Sequence, residues 1–122
     1  MNKKLIIVVS ILFVIILSVA AFILLQDPVE RCVKKTKSDL KKHKTQYLSG
    51  AIIVNFKEAI TKETARQIIE SYNLSVDYQY PNQNSALIKV PKDKEIEAMC
   101  MLKKDSRIAS TELNVIFNEI NR

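Results

Sequence analysis

The sequence predicts an α+β protein in which a membrane helix and a basic stalk helix precede a small mixed domain. Three observations carry this: a long apolar run near the N-terminus, a lysine-rich segment with helical spacing after it, and four alternating segments that enclose two amphipathic ones.

The apolar run is LIIVVSILFVIILSVAAFILL, residues 5–25, which only Ser10 and Ser18 interrupt. At about 1.5 Å per residue it reaches roughly 30 Å as a helix, the thickness of a hydrocarbon core. MNKK before it is a basic flank. Two readings therefore stand: a retained single-pass anchor, and a signal peptide cleaved near Ser18-Val19-Ala20. The run continues through Phe22, Ile23, Leu24 and Leu25, more length than a signal peptide needs, and this favours the anchor.

Residues 26–49 read as a basic stalk. Asp27-Pro28-Val29-Glu30 has the form of a helix start, with Asp as N-cap and Pro at the first helical position. Val29, Cys32, Val33, Leu40 and Tyr47 then fall among lysines as the apolar side of a basic helix. Attraction to anionic lipid headgroups is one reading of that charge, and a solvated spacer is the other.

The formal charge of +6 is unevenly placed: residues 1–49 carry nine basic and three acidic side chains, and residues 50–122 carry ten of each. The excess belongs to the membrane flanks. A neutral domain without interleaved aromatics on a basic face argues against nucleic acid as a partner.

Residues 50–122 hold the domain and a C-terminal tail. In AIIVNFK, Ile52, Val54 and Phe56 alternate with Ile53, Asn55 and Lys57, as in a strand with one buried face. ITKETARQIIESYNL supplies a helix with Thr61 as N-cap, Ala65, Ile68, Ile69 and Tyr72 on one side, and Asn73 suited to the left-handed position after its last turn. LSVDYQY returns to strand period, with Leu74, Val76, Tyr78 and Tyr80 facing one way. PNQN is a turn, and SALIKV alternates again until Pro91.

KDKEIEAMCMLKKD reads as a second helix capped near Asp93, with Ile96, Met99, Cys100 and Leu102 for the core. SRIASTEL is the last strand, and its alternation is the poorest of the four. The order strand, helix, strand, strand, helix, strand is the plan of a ferredoxin-like βαββαβ domain, with a four-stranded antiparallel sheet and two helices on one face.

The chemistry of an enzyme is not signalled. His43, the one histidine, lies among lysines that provide neither burial nor a fixed orientation. Cys32 and Cys100 are too far apart for CxxC, which leaves a free buried thiol on the apolar helix face or a single disulfide, if the domain meets an oxidising compartment. One glycine in the chain rules out phosphate-cradling loops. No catalytic residue, cofactor or metal is expected.

What remains are surfaces. The sheet face away from the helices would present Ile53, Asn55, Ser75, Asp77, Gln79, Leu87 and Lys89, with Ile53 and Leu87 as apolar anchors for a protein partner. The tail offers Val115, Ile116 and Phe117.

IIVNFK, ALIKVP and LKKDSRIASTELN, in this order of elements, resemble the propeptide domains of subtilisin-like proteases and their stand-alone inhibitor relatives. The resemblance covers about residues 50–114. It implies a ferredoxin-like domain that docks its open sheet face on a protease while the tail enters the cleft like a substrate. With no protease domain following it, such a chain would act in trans. The family's last strand commonly ends in a Glu-Pro-Asn-like signature, and here Glu112 and Asn114 match while Leu113 stands in place of Pro. The whole chain, anchor included, is similar to a family of small membrane-anchored proteins of methanogenic archaea, which implies no activity.

Two functions follow as expectations: a membrane-anchored protein-binding module acting as a propeptide-like inhibitor or folding chaperone, or a non-catalytic adaptor subunit of a membrane complex. Lysines after the apolar run argue for a cytoplasmic domain. The signal-like N-terminus and the likeness to secreted propeptides argue for an extracytoplasmic one, the reading favoured here.

Overall fold

The structure, a computed structural model, describes residues 2–116. Phe117 and the rest of the tail lie outside the described residues. The chain divides into two compact units, Met1–Arg31 and Cys32–Arg122.

Helix α1 (Lys3–Leu24) is long and apolar enough to cross a membrane, as a span or as a signal sequence. Its two hydroxyls donate back into the helix, Ser10 Oγ to Ile6 O and Ser18 Oγ to Val14 O, so neither is left unsatisfied in an apolar surround. Helix α2 (Pro28–His43) starts as its sequence requires, Asp27 Oδ1 accepting from Val29 N at 2.9 Å.

It stops sooner than the apolar spacing suggested. Lys44 takes φ +50°, Thr45 N donates to Leu40 O and Lys44 N to Lys41 O, the paired bonds that close a helix on a left-handed residue. Tyr47, read as part of the stalk's apolar side, instead begins strand β1 (Tyr47–Phe56).

Helix α3 (Lys62–Ser71) has the expected cap, Thr61 Oγ1 accepting from Thr64 N at 3.2 Å, and Asn73 at φ +59° ends it with the same pair of bonds. Strands β2 (Ser75–Gln79) and β3 (Ser85–Lys89), helix α4 (Glu95–Leu102) and strand β4 (Ile108–Val115) complete the order. Asp93 does not cap α4. It sits at φ +68°, and Lys94 takes the N-cap position without a side-chain bond.

The four strands form one sheet in the order β2-β3-β1-β4, every neighbouring pair antiparallel. Ile52, Val54, Phe56, Ala86, Ile88, Ile108 and Leu113 are buried on one sheet face, together with Ala65, Ile68 and Ile69 of α3 and Ile96, Ala98, Cys100 and Leu102 of α4. Gln79 Nε2 donates to Lys62 O in α3, and Thr111 Oγ1 donates to Met99 O in α4. Both side chains sit in the row Gln79–Ala86–Val54–Thr111, so both helices cover that same face.

Cys100 is not a free thiol. It forms a disulfide with Cys32 of α2, closing a loop with a sequence separation of 68 and tying the stalk helix to the domain's second helix.

Candidate functional site

The uncovered face of the sheet carries a continuous cross-strand row. Tyr78 pairs with Leu87, Leu87 with Ile53, and Ile53 with Glu112, so four side chains from all four strands stand side by side. Ile53 and Leu87 are half-buried, Glu112 is exposed, and Tyr78 is 53% exposed. Below this row Asn55 Nδ2 donates to Ser110 Oγ at 2.8 Å, and above it lie Ser75, Lys89 and Ala51.

Tyr78 reaches this face through a bulge. The register shifts between Val76, which faces Ile88, and Tyr78, which faces Leu87, leaving Asp77 as the extra residue. One inserted residue reverses the alternation beyond it. Tyr78 therefore leaves the helix-covered side expected from strict period two, and Gln79 leaves the open side for its bond to α3. Tyr80 stands edge-on to Tyr78, ring centroids 5.3 Å apart, extending the aromatic end of the row.

A shallow groove of about 420 Å³ adjoins the other end, lined by Thr36, Ile53, Met99, Glu112, Asn114 and Val115. Of the partner-binding residues read from the sequence, Ile53 and Leu87 are neighbours in the row, and Ile53 and Val115 line one groove. Ile116 is exposed beyond β4, its N–H donating to Gln46 O. Phe117 is outside the described residues. The two cysteines pair with each other, and His43 is exposed in the last turn of α2.

Two carboxylates missed by sequence reasoning brace the site. Glu95 is 2% exposed; its Oε1 accepts from Gly50 N at 2.8 Å and Ser49 Oγ at 3.0 Å. Between Tyr47, facing Val115, and Ile52, facing Leu113, β1 carries three more residues than β4. Gly50 makes that offset at φ +86°, a conformation that disfavours a side chain, and Glu95 fastens it. The bond thus fixes where the Val115 end of β4 lies.

Burial alone would raise the Glu95 pKa, but the Gly50 bond, the N–H groups of Glu95 and Asp93 and the Ser49 hydroxyl together hold it below its ordinary value. The sequence signal was weak: Glu95 occupies the apolar side of α4 at four and seven residues from Met99 and Leu102.

Asp105, after α4, accepts from Arg107 Nε at 2.9 Å, Arg107 Nη2 at 2.7 Å, Arg107 N at 3.0 Å and Tyr72 Oη at 2.8 Å. The guanidinium fork beside it holds its carboxyl well below the usual range despite partial burial, and the hydrogen bond that Tyr72 Oη donates to Asp105 raises the Tyr72 phenol. Asp105 joins the end of α3 to the turn that launches β4.

The segment from Lys34 in α2 to Asn114 in β4 contains the cross-strand row, its bracing carboxylates and Cys100, one of the two disulfide partners. Residues 34–114, or 81 of the 122, match the model of the fervidolysin N-terminal prodomain. The chain belongs to this prodomain family. The match supports the resemblance to subtilisin-like protease propeptides drawn from IIVNFK, ALIKVP and the β4 segment. No curated protein and no solved structure matches the chain.

Within the prodomain, Leu113 departs from the Pro expected between Glu112 and Asn114. Leu113 is buried opposite Ile52 on the helix-covered face, where a large apolar side chain fills the core. Among the described residues no group of acidic, His or Cys side chains is arranged to hold a metal ion.

Proposed function

We propose that this chain is a membrane-anchored, non-catalytic binding module that engages a subtilisin-like protease as a propeptide does, inhibiting it or assisting its folding. The observation that carries the reading is the prodomain match over residues 34–114, which coincides with a sheet left open on one face. The four-stranded antiparallel sheet with helices supports the ferredoxin-like assignment expected of such domains, which is part of the proposal. Ile53 and Leu87 anchor the partner, and Val115, Ile116 and Phe117 lead toward its cleft.

The apolar run of residues 5–25, helical in α1 as far as Leu24, holds the module at a membrane. The disulfide between Cys32 and Cys100 favours an oxidising environment, and with it an extracytoplasmic domain. Asn82, exposed in the β2–β3 turn, is a suitable position for testing that orientation: Asn82→Cys should react with a membrane-impermeant thiol reagent in intact cells.

The function is tested by titrating the full chain, held in detergent micelles, against a subtilisin-like protease and following peptide hydrolysis. Inhibition that Ile53→Asp or Leu87→Asp weakens, with Tm unchanged, supports the reading. Deleting residues 117–122 spares the Tyr47–Val115 pair, so it removes the tail without cutting the sheet. Absence of inhibition, with no gain in refolding of the denatured protease, would favour the adaptor role instead.

A further inference from the structure

Helix α2 keeps the segregation its sequence predicts, and the role of its charge is what the sequence alone left open. From Cys32 onward, Cys32, Val33, Thr36 and Leu40 are half-buried, while Lys34, Lys35, Lys37, Lys41 and Lys42 are all exposed. Spacings of three, four and seven put the first set on one side of the helix and the lysines around the opposite side.

The disulfide to Cys100 fixes this orientation, because it pins the half-buried side to α4 within the same compact unit. Among the described residues, none of the five lysine side chains has an ion pair or hydrogen bond. Asp39 is the single acidic side chain in residues 32–43, so the helix presents a local excess of positive charge on that side.

We propose that this face binds anionic lipid headgroups, the phosphate-bearing surface of the membrane in which α1 is anchored. Only three residues, Leu25 to Asp27, separate α1 from α2, so the chain limits how far the lysines can lie from any bilayer that α1 enters. Each lysine near an anionic surface strengthens association by about fivefold, and the effect decays over roughly 10 Å at moderate salt. The inference rests on α1 being a retained anchor and not on the protease reading.

The test uses the full chain with Ser38→Cys, an exposed position among the lysines. The native cysteines are both in the disulfide, so this thiol alone takes a fluorescent donor. Energy transfer to headgroup-labelled acceptor lipid is compared in phosphatidylcholine vesicles and in vesicles that also contain phosphatidylglycerol. Transfer about twofold higher in the anionic vesicles, lost at high salt and in Lys34→Glu/Lys37→Glu/Lys41→Glu, is the expected result.

Equal transfer in both vesicle types, from a chain that co-floats with both, overturns the lipid inference and leaves the anchor intact. A chain that co-floats with neither overturns both. If lipid composition has no effect but duplex DNA or an acidic polypeptide shifts the donor signal, the face serves another partner and the proposal fails.

Discussion

The two inner strands and the two outer strands obey different rules. β1 and β3 pair through five consecutive residues, Ala51 opposite Lys89 to Asn55 opposite Ser85, without interruption. β2 and β4 each carry one extra residue against their inner neighbour, Asp77 in one case and Ala109 in the other, while the separate offset around Gly50 lies in β1 at the end of its ladder with β3. An inner strand is held by ladders on both sides, so a slipped residue would disrupt two sets of bonds. An outer strand can absorb an extra residue at the cost of one, and its exposed edge is a common place for bulges. Here the outer strands add Tyr78 and Val115 to the open face and its groove, while the inner strands supply Ile53 and Leu87 to that face and most of the sheet's core side chains.

The contrast predicts a gradient of mutational effects. Ile88→Ala in an inner strand, where the side chain is fully buried, should cost about 2 to 5 kcal/mol in urea unfolding. Tyr78→Ala, removing a similar or larger apolar surface from an outer strand, should cost well under that. Equal losses would remove the distinction between the strands.

Cys32→Ser/Cys100→Ser should lower stability by about 2 to 4 kcal/mol, since the bridge closes a long loop in the unfolded chain. The same bond makes a topological prediction. A backbone cut after exposed Lys44 should leave the domain co-sedimenting with α1 until a thiol reductant is added, as non-reducing and reducing gels would show.

Glu95→Gln should cost about 1 to 3 kcal/mol, because an amide has one accepting oxygen and no charge where the carboxylate accepts from Gly50, Ser49 and the N–H groups of Glu95 and Asp93. The sign of the pH dependence follows from its depressed pKa. The carboxylate's contribution is complete above its ordinary value of 4.5 and is lost as pH falls through the lower folded value. Asp105 is depressed in the same direction. Acid unfolding of Glu95→Gln should thus be shallower than that of the parent, and Glu95→Gln/Asp105→Asn shallower still.

Gly50→Ala should show the smallest loss, about 1 to 2 kcal/mol. An added Cβ would meet only Val90 O at 3.8 Å, ordinary contact, so the cost is that of holding φ +86° with a side chain. A much larger loss would mean that the offset in β1 is tighter than this geometry shows.

The sequence by itself determined the helix caps at Asp27 and Thr61, the left-handed end at Asn73, the inward set Ile52, Val54 and Phe56, and the membrane-length run, because each depends on neighbours within a turn or on a strict period. It also named Ile53 and Leu87, since the inner strands keep that period. Tertiary structure decided the rest. A bulge at Asp77 depends on how β2 lies against β3, and no local pattern shows that Tyr78 and Gln79 have exchanged faces. The Cys32–Cys100 bond and the Glu95 contact with Gly50 join residues 68 and 45 positions apart. Such pairings cost chain entropy that only the packed core repays, so their partners become identifiable only once the sheet and helices have brought them together.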